Sequence, residues 1–331
     1  MRVTAPTSLE LGVTLDAQTN ELLADYDAMK LVWADRVTNG GINTYRAFAD
    51  AVFDRFRAPE RDVAVAEVHN LTVRGGSGQI PARLYRPNPS EPLPLVIFFH
   101  GGGWSLGGLD SYDGPASSIA GLSGCALLAV DYRLAPEHPY PAGLDDAMAA
   151  TRHAIKNARA YGADPRRIGV MGDSAGGNLA AVVARELALT DGPSIAAQFL
   201  IYPMTDIASP DDRFPSRGLY GNGSHFLAVD GIHFARDAYL TGGAGDPTDP
   251  RISPLAGAVP SNLAPAFIMT AGHDPLRDEA EAYFHALRAA GIDAEYTSVN
   301  ETVHAFMSFG VLDASQRARR TLAAAVRRML Q

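Results

Sequence analysis

Short, unbroken apolar runs punctuate the chain: Leu95–Phe99, Ala126–Val130, Ile168–Met171, Ala197–Ile201, Phe267–Thr270 and Tyr296–Val299. Continuous rather than alternating apolar residues suit parallel strands buried on both faces. Helical periodicity fills most of the gaps, at Leu144–Ala160, Asn178–Leu189 and Leu276–Ala290, with a last stretch at Ala314–Met329. This alternation predicts right-handed crossovers and a mainly parallel α/β sheet. Val65–Val73 and Ile80–Tyr85 read as two further strands, joined by the turn-forming Gly75–Gly78. Two segments break the rhythm. Leu22, Tyr26, Met29 and Trp33 recur at helical spacing and are continued by Phe48, Val52 and Phe56, so residues 1–60 read as helical before any strand. Asp206–Pro260 is long and rich in Gly, Pro and Asp, with a short helix expected near Gly231–Leu240. A loop of that length in a compact domain is usually functional, often a lid.

Composition narrows the function classes. With 47% hydrophobic and 20% charged residues over 331 positions, the chain has the make-up of a globular protein with a large core. Lys and Arg number 28 against 37 Asp and Glu, and the net charge of −9 argues against a nucleic-acid or anionic-membrane surface. No apolar run approaches the roughly 18 residues of a membrane span. The first twenty residues lack an apolar stretch behind a basic start, so no signal peptide is expected and the reading is cytoplasmic. Cys125 is the single cysteine, which excludes an intrachain disulfide and a cysteine-based zinc site. It adjoins the apolar run Ala126–Val130 and reads as a buried, inert thiol.

Two pentapeptides match Gly-x-Ser-x-Gly, and their surroundings separate them. Gly172-Asp-Ser-Ala-Gly176 follows the strand Ile168–Met171 and leads into an alanine-rich helix, the strand–turn–helix context of a nucleophile elbow. A helix N-terminus there would offer free N–H groups to a developing oxyanion. Gly103-Trp-Ser-Leu-Gly107 also follows a strand, but Asp110, Gly114 and Pro115 come next and no helix is expected at once. Ser174 is therefore the candidate nucleophile. A serine needs a base and an orienting acid. Of His225, His233, His273, His285 and His304, only His304 lies in a loop past the last strand, where a base can reach over the sheet edge. Asp274 follows the strand Phe267–Thr270 closely and is the candidate acid; Asp278, one helical turn further, is the minor candidate. His100-Gly-Gly-Gly-Trp104 follows a strand, and its side-chain-free N–H groups can approach a substrate oxygen. Gly101, Gly102 and Ala175 are the expected oxyanion donors. No dinucleotide fingerprint, P-loop lysine or His-based metal motif occurs, so neither cofactor nor metal is expected.

Taken together, His100–Trp104, the stretch Asp131-Tyr-Arg-Leu-Ala-Pro-Glu-His-Pro-Tyr-Pro-Ala142, Gly172–Asn178, Asp274-Pro-Leu-Arg-Asp278 and Val303–Phe306 resemble the hormone-sensitive-lipase family of bacterial carboxylesterases. The motifs follow the family's order across residues 65–331. The resemblance implies an α/β-hydrolase with eight strands, one of them antiparallel. It implies a catalytic domain over 61–331, with residues 1–60 and an insertion at about 205–245 forming a helical cap. It implies Ser174, Asp274 and His304 as a triad that cleaves short- to medium-chain acyl esters through an acyl-enzyme. Trp104, Asp173, Tyr202 and Phe214 are expected to line the substrate pocket. Ala305 stands where the family usually has glycine, and its methyl is expected to trim that pocket. Hydrolysis of an amide, formamide or lactone stays open on the same machinery, as does a non-catalytic ligand-binding receptor, although an intact triad argues against the latter. The expected partner is a small ester; the resemblance also admits a homodimer.

Overall fold

Within the central strands each residue belongs to one of two apolar layers. Leu95, Ile97 and Phe99 of β3 (Leu93–Phe99) enter one core, and Val96 and Phe98 enter the other, as the strand period of two requires. The computed structural model describes residues 14–75, 78–90, 92–190, 195–243 and 245–331. The first 13 residues of the expected cap and Gly76 and Ser77 of the expected turn lie outside them.

Eight strands form one sheet: β1 (Glu67–Gly75), β2 (Gly78–Arg86), β3, β4 (Ala126–Val130), β5 (Ala163–Asp173), β6 (Ala197–Ile201), β7 (Ala266–His273) and β8 (Ala294–Val303), in the order β1-β2-β4-β3-β5-β6-β7-β8. Only β2 runs antiparallel to its neighbours; the other pairings are parallel. This is an α/β-hydrolase sheet. From β3 the chain passes to β4 on one side and then returns to β5 on the other. The carboxyl ends of β3 and β5 therefore flank the crevice where ligands of open α/β sheets bind.

Helices α3 (Ala142–Lys156), α4 (Ala175–Ala188) and α7 (Arg277–Ala289) cover one face through Leu144, Leu179, Tyr283 and Leu287. The other face is covered by α2 (Asp113–Ser123) and α8 (Asp313–Leu330) through Ile119, Leu322 and Val326. Of the remaining helices, α1 (Ala17–Phe56) and α6 (Val229–Tyr239) line the space above Ser174, while α5 (Pro215–Tyr220) is tied through Ser216 to Pro275 and Asp278 just beyond β7. The Asp16 side chain caps α1 by accepting the Thr19 N–H at 2.7 Å. Gly41, at φ 67° and ψ −166°, breaks α1 into two arms, a backbone state that glycine enters without steric cost. None of the described helices is long and apolar enough to cross a membrane.

Two helices escape the hydrophobic pattern. α2 opens Asp-Gly-Pro and is filled with Ala, Ser and Gly, so it shows no apolar stripe; Pro115 is tolerated because it sits in the first turn. α5 spans six residues, too few to show a period.

Candidate active site

The turn from β5 into α4 is forced by contact. A Cβ on Gly172 would lie 2.1 Å from the Gly176 carbonyl oxygen, and one on Gly176 would lie 2.0 Å from the Phe99 oxygen. Between them Ser174 adopts φ 54° and ψ −119°, a strained conformation for a residue with a side chain. The strain places Ser174 at the mouth of α4, whose first residue is Ala175. A first-turn N–H has no partner inside its helix, so that of Ala175 is free to donate.

Three elements then converge. His304 Nε2 lies 2.9 Å from Ser174 Oγ, and His304 Nδ1 lies 2.7 Å from Asp274 Oδ2. Asp274 is fully buried, and its other oxygen accepts the Leu276 N–H at 2.8 Å. A carboxylate can only accept here, so Nδ1 carries the proton and Nε2 is left to accept the serine hydroxyl. Asp278 is not part of this chain. Its Oδ2 accepts the Ser216 N–H at 2.8 Å, tying α5 to α7. Ser105 is buried near the same space, but its hydroxyl has no hydrogen-bond partner among the described residues, and no base attends it.

The glycine loop corrects one expectation. The Gly101 N–H donates to Asp173 Oδ1 at 2.8 Å, so it is not available to a substrate oxygen. Gly102 and Gly103 line the cavity, and their N–H groups have no partner among the described residues. Gly102 and Gly103, rather than Gly101 and Gly102, are thus the loop glycines whose N–H groups are left open beside that of Ala175. Nothing in three consecutive glycines separates them; the distinction comes from Asp173, more than seventy positions away in the chain. His100 stiffens the loop from behind. Its ring stacks on Tyr132 at 4.5 Å, and its Nδ1 lies 2.8 Å from the Gly101 carbonyl oxygen, to which it donates. Burial pushes its pKa down to about 4, which keeps the ring neutral.

Asp173 is the other buried titratable group at this point. Tyr112, which the sequence did not single out, donates its hydroxyl to Asp173 Oδ2 at 3.2 Å. Burial raises the Asp173 pKa to about 7, against the opposing pull of the Gly101 N–H, His304 and Tyr112.

A cavity of about 280 Å³ opens over Ser174 and His304. Tyr26, Tyr45, Phe48 and Phe53 of α1 form one wall, and Phe226, Leu227, Phe234 and Ala235 of the β6–β7 connection form the opposite one. Tyr26 meets Phe226 with ring centroids 4.6 Å apart, bridging the two walls. Of the residues expected in this pocket, Asp173 lines it, whereas Trp104, Tyr202 and Phe214 lie off it. Trp104 stacks flat on Tyr239 at 4.2 Å in the core. Tyr202 packs its ring 4.8 Å from that of His304, backing the imidazole from beneath. Phe214 sits under the guanidinium groups of Arg213 and Arg217. Each is an apolar side chain that found a partner in the fold before it found the cavity. Among the described residues no group of three or more His, Cys, Asp or Glu side chains is arranged to hold a metal ion.

Comparison with known proteins agrees with this architecture. Residues 96–308 match a family described as having the alpha/beta hydrolase fold. A carboxylic ester hydrolase of Mycobacterium tuberculosis, LipN, is 43% identical over 268 residues, covering 80% of this chain and 69% of that relative. An ethyl acetate hydrolase of Pseudomonas putida is 39% identical over 247 residues, covering 73% of this chain and 75% of that relative. Among solved structures, a hyperthermophilic esterase from the archaeon Pyrobaculum calidifontis superposes with a TM-score of 0.87 at 34% identity, covering 96% of this chain and 99% of that one.

Proposed function

Because the chain belongs to the hormone-sensitive-lipase family of α/β-hydrolases and is a carboxylic ester hydrolase, we propose that Ser174, His304 and Asp274 cleave short- to medium-chain esters by two-step acyl transfer. The observation that carries the reading is the continuous chain Asp274–His304–Ser174, ending at an apolar cavity. His304 takes the Ser174 proton, and the alkoxide attacks the ester carbonyl. The resulting oxyanion is held by the N–H groups of Gly102, Gly103 and Ala175, worth roughly 2.7–4 kcal/mol for each donor in comparable enzymes. Asp274 holds the imidazole tautomer and stabilises the imidazolium. His304 then protonates the leaving alcohol, which departs, and activates a water that releases the acid and restores the serine.

α1 and the insertion at about 205–245 act as the cap, since together they supply the aromatic walls of the cavity. A roof this close limits the acyl group more than the triad does. The likeness to an ethyl acetate hydrolase supports the short end of the range.

Ser174→Ala is expected to abolish the burst of acyl-enzyme, while Ser105→Ala retains turnover. Asp274→Asn is expected to lower kcat by a factor on the order of 10⁴, as for a triad aspartate in serine proteases, and Asp278→Asn far less. Phosphonate labelling that lands on Ser105, or a reversed ranking of the two aspartates, would refute the assignment.

A further inference from the structure

Among the described residues five other than glycine have positive φ, namely Trp104, Ser174, Tyr202, Phe226 and Ala305, and three of them, Ser174, Phe226 and Ala305, line the cavity. Such conformations persist where the surrounding structure or the function over-determines them. For four of them the compensation is visible. Ser174 is the nucleophile, Trp104 stacks on Tyr239, Tyr202 packs on His304, and Phe226 packs on Tyr26 and Phe309. Ala305, at φ 64° and ψ 8°, sets against its strain only a methyl group, buried at the margin of the apolar cluster that holds Phe306 and Phe309. Its backbone role, accepting the Ser308 N–H at 2.9 Å to start a short 3₁₀ turn, needs no side chain and suits glycine better. What the methyl does have is a place in the cavity wall, one residue from the imidazole.

His304 Nε2 faces Ser174 Oγ and must next reach the leaving oxygen to protonate it. The alkoxy group of the ester therefore lies on the His304 side, against the wall that includes Ala305. We propose that the Ala305 methyl is a specificity determinant for the alcohol half of the substrate, admitting unbranched alkoxy groups and excluding branching at the carbon next to the ester oxygen. This rests on the esterase reading of the same site. Only the bulk beside the leaving oxygen is filtered; the acyl half meets other walls.

The experiment is Ala305→Gly, a substitution that the backbone favours and that leaves the triad untouched. kcat/KM is measured on ethyl, isopropyl and tert-butyl acetate, and in parallel on ethyl acetate, ethyl isobutyrate and ethyl pivalate. One methyl group in a pocket discriminates by about tenfold or more. The tert-butyl to ethyl ratio among the acetates is expected to rise about tenfold in the variant, while the pivalate to acetate ratio stays unchanged. An unchanged acetate series overturns the proposal, and so does a gain confined to the branched acids. Failure of the parent enzyme to cleave any of these esters would instead refute the substrate reading, because the ratios need that turnover to exist.

Discussion

Asp173 sets a carboxylate beside the place where a second negative charge develops. Its two hydrogen bonds, from the Gly101 N–H and the Tyr112 hydroxyl, hold the glycine loop against the turn that carries Ser174. Its pKa stands at about 7 in the fold against an ordinary 3.8. Between those values the folded chain binds a proton that the unfolded chain has released. This group's contribution to stability is therefore complete below pH 4 and is lost as the pH rises through 7, by at most about 1.4 kcal/mol per pH unit. Asp173→Asn keeps an acceptor for Gly101 and removes the titration. Urea midpoints at pH 4.5 and pH 7.5 are expected to show the variant gaining on the parent as the pH rises. A constant difference between the two would mean that Asp173 stays charged throughout.

At the scale of elements, the connection between β6 and β7 is anchored through charge. Arg217 of α5 and Glu279 of α7 pair at 2.7 Å with side chains 2% and 0% exposed, and Glu279 also accepts the N–H groups of Thr205 and Asp206. Breaking a buried pair from one side leaves an uncompensated charge and costs about 3–5 kcal/mol. Arg217→Met is expected to lose stability on that order in urea unfolding, and the double variant with Glu279→Leu to lose less than the single one. Neither residue announces this role in the sequence, because an isolated arginine in a Gly/Pro-rich stretch reads as a solvated charge. The same limit explains what else was illegible. The central strands could be placed from unbroken apolar runs, since burial on both faces writes itself into consecutive residues, the long helices from periodicity, and the half-exposed β1 and β2 from the glycine turn between them. The positions of Ser174, His304 and Asp274 relative to strand ends were legible for the same reason. Gly101 and Gly103, Tyr112, and the displacement of Trp104, Tyr202 and Phe214 from the pocket depend on contacts between distant segments, which leave no local pattern.

Across the whole molecule, the sheet order brings the ends of β3, β5, β7 and β8 to one edge while two arms of α1 close over them. Arg46, beyond the Gly41 break, pins the second arm by pairing with both oxygens of Glu137 at 2.7 Å and donating to the Ser105 carbonyl oxygen at 2.9 Å. The cavity beneath is small and walled by aromatic side chains, so selectivity should have a maximum. Each added acyl methylene contributes about 0.8 kcal/mol until the space is full, after which overpacking costs about 1–3 kcal/mol. Efficiency on p-nitrophenyl esters is expected to peak at roughly four to eight acyl carbons from that balance. A continued rise to palmitoyl esters would contradict this size limit. Cys125 lies far from all this chemistry, 1% exposed at the head of β4, with burial raising its thiol pKa. The native protein thus offers thiol reagents no ready target, and the chain carries no second cysteine. With Leu31→Cys, on the outer arm of α1 where the side chain is 81% exposed, a fluorophore or spin label would attach at one point only. Any change in the surroundings of that arm during turnover could then be followed optically against a silent background.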